Sequence, residues 1–126
     1  MTLTPPLAAI VDWWEANRRE LPWRATRDPY AVWVAEVMCA QTQVTRAAVT
    51  WARWLARWPT VDALAAAKLA DVLEEWQGLG YPRRARDLHR AARIVVADGW
   101  PSDLEMLPGV GAYTAAAISC FACAMS

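Results

Sequence analysis

Glu36 stands in the run Val34-Ala35-Glu36-Val37-Met38, an acid among apolar residues. A carboxyl in such surroundings keeps its proton to higher pH and can act as a general acid near neutrality. The residue types alone equally allow a glutamate at a solvated helix edge, or one paired with an arginine such as Arg24. A second chemical feature is Leu107-Pro108-Gly109-Val110-Gly111. Two glycines around one apolar residue permit positive φ and close backbone approach. Their N–H groups, with the dipole of a following helix, form a site for one anionic oxygen. A plain glycine turn is the alternative, but Pro108, the Val110 plug and the Ala115-Ala116-Ala117 tail narrow the match. Third, residues 76–96 hold Arg83, Arg84, Arg86, Arg90 and Arg93 against Asp87, a local charge of +4. Either a solvated helix face or a phosphate-facing helix accounts for that row.

These groups need helices to position them, and the chain is punctuated for helices. Leu7, Ile10, Val11 and Trp14 follow helical spacing and predict an amphipathic helix over about 7–18. Asp28-Pro29 places an N-cap acceptor before a proline at the first helical position, opening the helix that carries Glu36. Thr42 is a candidate cap for the next helix, with a stripe of Val44, Ala48, Trp51 and Leu55 ending before Pro59. Thr60 opens a short alanine-rich helix, and a further one runs to Trp76 and stops at Gly78. Pro82 begins another, apolar along Leu88, Ala91, Ala92 and Val95, with Gly99 as its stop. A last helix follows Gly111. No segment alternates with period two for long enough to form a strand, so the fold class is all-α.

Composition bounds the rest. The 126 residues are 56% hydrophobic and 21% charged, enough for one compact domain and unlike a disordered or collagenous chain. Lys+Arg and Asp+Glu are both 13, so nucleic-acid or membrane binding has to rest on a local patch. Residues 106–126 carry no charge, but Pro108, Gly109 and Gly111 break the stretch. The helix-competent remainder, about 14 residues or roughly 21 Å, is short of a ~30 Å hydrocarbon core, so no membrane partner is expected. Cys39, Cys120 and Cys123 fit no disulfide framework, which points to a reducing cytoplasm. Most of the nine tryptophans are expected as core fillers.

Six segments in order carry a resemblance: Leu21-Pro22-Trp23-Arg24, Asp28-Pro29-Tyr30, Glu36-Val37-Met38, Gln41-Thr42-Gln43-Val44, Gly78-Leu79-Gly80-Tyr81, and Leu107 through Tyr113. Together they resemble the MutY-type adenine DNA glycosylases of the helix-hairpin-helix, endonuclease III superfamily. The resemblance implies a six-helix domain over 23–126 with its helix-hairpin-helix at about 102–124, and an N-terminal helix, 1–22, belonging to a second domain. It implies excision of adenine mispaired with 8-oxoguanine or guanine in double-stranded DNA, after the adenine is flipped from the stack. Glu36 matches the family's catalytic acid. Arg19, Leu21, Trp23 and Arg24 match its adenine pocket, although Trp23 could equally be core packing. Gln41 and Tyr81 match the pair wedged into the bases, with a buried tyrosine as the plain alternative for Tyr81. Thr42 and Leu79 match contacts to the oxidised guanine; Leu107, Gly109, Val110 and Gly111 match the phosphate-gripping hairpin. Tyr113 stands where endonuclease III-like relatives carry a lysine that forms an imine with the sugar. A phenol forms no imine, so a monofunctional glycosylase is expected rather than a lyase.

The pattern also departs from that family. Its second carboxylate, an Asp stabilising charge on the sugar, lies after the last helix, and Asp98 and Asp103 precede the hairpin. The four cysteines of its [4Fe-4S] cluster have no counterpart set here, since Cys120 and Cys123 are two of four. A monovalent cation at the hairpin carbonyls is expected by the same resemblance. Ala40 replaces a glutamine, and the segment between Pro101 and Leu107 is short. The chain is therefore expected to be an incomplete, monomeric, cytoplasmic representative, inactive by itself and exposing apolar surface. A non-catalytic DNA-binding module, or an endonuclease III-like lyase, are the competing functions.

Overall fold

The computed structural model describes residues 28–40 and 43–123, and for 120–123 the helix path alone. The expected helix over 7–18, Arg19, Leu21, Trp23, Arg24, Gln41, Thr42 and the side chains of Cys120 and Cys123 lie outside the described residues. Those described form six α-helices and one short 3₁₀ turn, with no strand among them. They are α1 (Pro29–Cys39), α2 (Val44–Arg57), α3 (Val61–Ala66), α4 (Leu69–Glu75), α5 (Pro82–Asp98), the turn Leu104–Met106, and α6 (Ala112–Cys123).

The first helix starts where its cap chemistry predicts. Asp28 Oδ1 accepts from the Tyr30 N–H at 3.0 Å, and Pro29 occupies the first turn. Residues Tyr30 through Glu36 and Met38 are all buried, so α1 is wrapped on nearly every side. Such a helix belongs at the centre of a bundle. It packs against α2, α5 and α6, while α3 and α4 pack on α5.

Helix α2 corrects two expectations. Its N-cap is Gln43, with no side-chain cap bond, so the start lies one residue after Thr42. Its buried face is Ala47, Thr50, Trp51 and Trp54, leading to the buried cap Trp58; Val44 is exposed, and Ala48 and Leu55 are only partly covered. The indoles decide this rotation, because they carry the larger apolar area. Trp54 meets Trp58 edge-on at 4.8 Å and Trp76 at 5.8 Å. Thr60 caps α3 as expected, accepting from Ala63 N–H at 3.1 Å.

The tryptophan cluster is polar-satisfied. Tyr30 donates its hydroxyl to the Trp58 carbonyl at 2.8 Å and accepts from Trp54 Nε1 at 3.1 Å. Trp51 Nε1 donates to the Ala31 carbonyl at 2.9 Å. Burial pushes the Tyr30 phenol well above its ordinary pKa. Tyr30→Phe therefore strands an indole N–H and a carbonyl, and should cost about 1–3 kcal/mol in urea unfolding. An unchanged midpoint would show that water replaces the hydroxyl.

Helix α5 follows its predicted pattern, burying Leu88, Ala91, Ala92 and Val95 together with Ala85 and His89. His89 Nε2 lies 2.9 Å from the Ala67 carbonyl, a contact that requires the proton on that nitrogen. It ties the α3–α4 turn to α5. Gly99, at φ +82, ends the helix.

Candidate active site and nucleic-acid interface

Glu36 is buried, with 8% of its surface exposed. Its position on α1, the most enclosed helix, follows from the apolar neighbours that the sequence displays. Desolvation pushes its carboxyl from 4.5 up to about 7, so the neutral acid persists toward neutral pH. One turn along, burial and then the Glu36 charge push the Cys39 thiol up to about 12. Tyr113, in the first turn of α6, has its phenol raised by burial, by Glu36 and by Cys39 in that order. These three groups therefore share one electrostatic neighbourhood where α1 meets α6. Each favours its protonated form. Tyr113 is 46% exposed and brings that neighbourhood to the surface.

Next to it is the glycine hairpin. Leu107 and Val110 are buried, holding the turn down, while Gly109 and Gly111 are exposed. Val110 N–H donates to the Leu107 carbonyl at 3.1 Å, closing the turn, and Gly109 takes φ +76. A Cβ on Gly109 would stand 3.0 Å from Asp87 Cβ on α5. Glycine is required twice over, by dihedral and by space. Gly109→Ala should cost about 1–3 kcal/mol in stability and displace the hairpin from α5. Wild-type unfolding midpoints in that variant would contradict the packing.

A cleft of about 310 Å³ separates the hairpin from α1, with Trp33, Val37 and Ala40 on one side and Arg83, Arg84 and Asp87 on another. Pro108, Gly109 and Thr114 complete its rim. Two acids of α4 are paired with α2: Glu75 with Arg53 and Arg57, and Asp71 with Arg57. None of the α5 arginines forms an ion pair among the described residues. The surplus positive charge thus lies on the helix that borders the hairpin.

Leu79 and Tyr81 separate sharply. Leu79 is buried, whereas Tyr81 is 60% exposed in the loop before α5, with φ +51. Its ring lies 5.5 Å from the Arg84 guanidinium carbon.

Residues 34–121 match the HhH-GPD superfamily of base excision DNA repair proteins. The chain belongs to that family. The adenine DNA glycosylase of Mycobacterium tuberculosis is 44% identical over 120 residues, covering 90% of this chain and 40% of that protein. The adenine DNA glycosylase of Homo sapiens is 41% identical over 129 residues, 90% of this chain and 24% of the human one. The chain thus spans less than half the length of these relatives. A thermostable thymine-DNA glycosylase superposes with a TM-score of 0.77 at 27% identity, over 93% of this chain and 57% of that one.

A four-cysteine iron–sulfur cluster does not fit the residues present. The chain has three cysteines, and no described group of His, Cys, Asp or Glu could hold a metal ion. No described helix is long and apolar enough to cross a membrane. Sequence reasoning missed Cys39 as a neighbour of Glu36, though its place three residues on, at a helical interval, was a usable signal. It also missed Asp87 beneath the hairpin, Arg46 and Trp76, whose roles arise from contacts between distant segments.

Proposed function

We propose that this chain works in base excision repair as an adenine DNA glycosylase, hydrolysing the N-glycosidic bond of adenine mispaired with 8-oxoguanine or guanine. The observation that carries the reading is Glu36: a buried carboxyl with its pKa raised to about 7, beside Tyr113 at the hairpin exit. Adenine leaves poorly as an anion. In this reading Glu36 gives its proton to the imidazole edge of the flipped base as the C1′–N9 bond breaks, and adenine departs neutral. Water then attacks the sugar carbon and gives up a proton to the Glu36 carboxylate, which restores the acid. Tyr113 keeps its phenolic proton and offers no amine for an imine, which favours hydrolysis over lyase chemistry.

Double-stranded DNA is the partner, and the hairpin with its exposed Gly109 and Gly111 holds one backbone phosphate without reading sequence. Tyr81 stacks against the opened bases, together with Gln41; Arg19, Leu21, Trp23 and Arg24 enclose the adenine; Thr42 meets the oxidised guanine, while the buried Leu79 side chain anchors the loop beside it. A monovalent cation at the hairpin carbonyls, a monomeric state and a cytoplasmic, nucleoid-associated setting belong to the same reading. Asp98 and Asp103 are exposed and precede the hairpin, so among the described residues the chemistry rests on Glu36.

Single-turnover release from duplexes holding adenine opposite 8-oxoguanine, or thymine opposite guanine, tests this. Against the inactivity expected from the sequence, the buried Glu36 supports slow adenine release from this chain, with no borohydride-trapped protein–DNA adduct. Thymine release alone would overturn the substrate; salt-sensitive binding without any release would indicate a non-catalytic module.

A further inference from the structure

The loop that delivers Tyr81 is unusual in its backbone. Gly78, Gly80 and Tyr81 have φ of +91, +75 and +51, so three of four consecutive residues are left-handed. Glycine accepts that conformation freely, whereas tyrosine does so only when its surroundings compel it. Tyr81 also serves as the N-cap of α5 without a side-chain cap bond, and Pro82 follows immediately. Left to local preference, Tyr81 would relax toward negative φ and carry the phenol elsewhere.

Two side chains from outside the loop hold its carbonyls. Trp76 Nε1 donates to the Gly80 carbonyl at 2.8 Å, and Arg46 Nη1 donates to the Gly78 carbonyl at 3.1 Å. The first donor is anchored in the core: Trp76 is buried and its ring meets Trp54 edge-on at 5.8 Å. The second comes from α2, thirty-two residues away in sequence. Inside the loop, Leu79 N–H donates to the Trp76 carbonyl at 3.1 Å. Gly78 and Gly80 themselves have nothing within 4 Å of a would-be Cβ, so packing does not confine the loop at either glycine. Hydrogen bonds do.

We propose that Arg46 and Trp76 are positioning residues that clamp the Gly78–Tyr81 loop in its left-handed form, so that Tyr81 stands ready before DNA arrives. The role rests on the reading of Tyr81 as the residue that enters the base stack. Neither donor touches DNA in performing it. The benefit is entropic: a probe held in place loses less freedom on insertion than one that must be ordered at that moment.

The test uses the full chain with Arg46→Ala, Arg46→Lys and Trp76→Phe. Amide exchange at Leu79 in the free protein should accelerate about tenfold in Arg46→Ala and in Trp76→Phe, and return most of the way in Arg46→Lys. Single-turnover adenine release should fall about tenfold in the same two variants, with the salt dependence of binding unchanged. Unchanged Leu79 exchange in Arg46→Ala overturns the clamp. So does a salt slope shallower by about one, which would make Arg46 a phosphate contact. Arg46 is exposed, so its variants fold even if Trp76→Phe does not. A wild-type chain that releases no adenine counts against the repair reading, while the exchange comparison still decides the clamp.

Discussion

Glu36→Gln is expected to stabilise the folded chain at pH 8 while lowering adenine release by about 10²–10⁴-fold, the usual worth of a general acid. Both effects come from one buried carboxyl. Its pKa is about 7 in the fold against 4.5 without burial. The folded state therefore binds more protons than the unfolded state between those two values, and stability falls as pH rises through that window. The full loss, reached above about pH 7, is on the order of 3 kcal/mol. Glutamine carries no charge to bury, so its unfolding free energy should lack this slope, matching wild type near pH 4 and exceeding it at pH 8. Urea titrations at a series of pH values measure the difference. The rate has the same titration behind it: protonated Glu36 is the donor, so kcat/KM should decline above about pH 7, tenfold per unit. Equal pH dependence of stability in the two proteins would mean that Glu36 is ionised inside the fold, and the acid role would go with it.

Trp54→Ala should be the most destabilising single change among the described residues, by about 3–5 kcal/mol. Trp54 is fully buried, and its ring touches both Trp58 and Trp76. Against a typical total of about 5–15 kcal/mol, that loss lowers Tm by more than about 10 °C. Trp54→Phe keeps most of the ring and loses the N–H to Tyr30, so about 1–3 kcal/mol is expected for it. The ratio of the two separates cavity from hydrogen bond. The damage should also reach the functional loop, because Trp76, which leans on Trp54, holds the Gly80 carbonyl. Faster Leu79 exchange in Trp54→Ala, under conditions where the chain remains folded, would reveal that path. A Tm within a few degrees of wild type would mean the cavity collapses and refills.

What the linear order of residues determined is whatever physics acts within about one helical turn. Asp28-Pro29 starts α1, Thr60 caps α3, Pro82 and Gly99 bracket α5, and Gly109 marks the hairpin, because caps, prolines and positive φ are local requirements. The raised Glu36 acid was legible for the same reason: its apolar neighbours lie on its own helix. Tertiary structure decided which way α2 faces, since Trp54 and Trp58 compete with Val44 and Leu55 for the core and area chooses between them. It also placed Asp87 under Gly109, brought Tyr113 to Glu36, and carried Arg46 across to Gly78. Those pairings join segments tens of residues apart, and no local propensity encodes them. Hydrophobic burial sets them, acting on the whole chain at once.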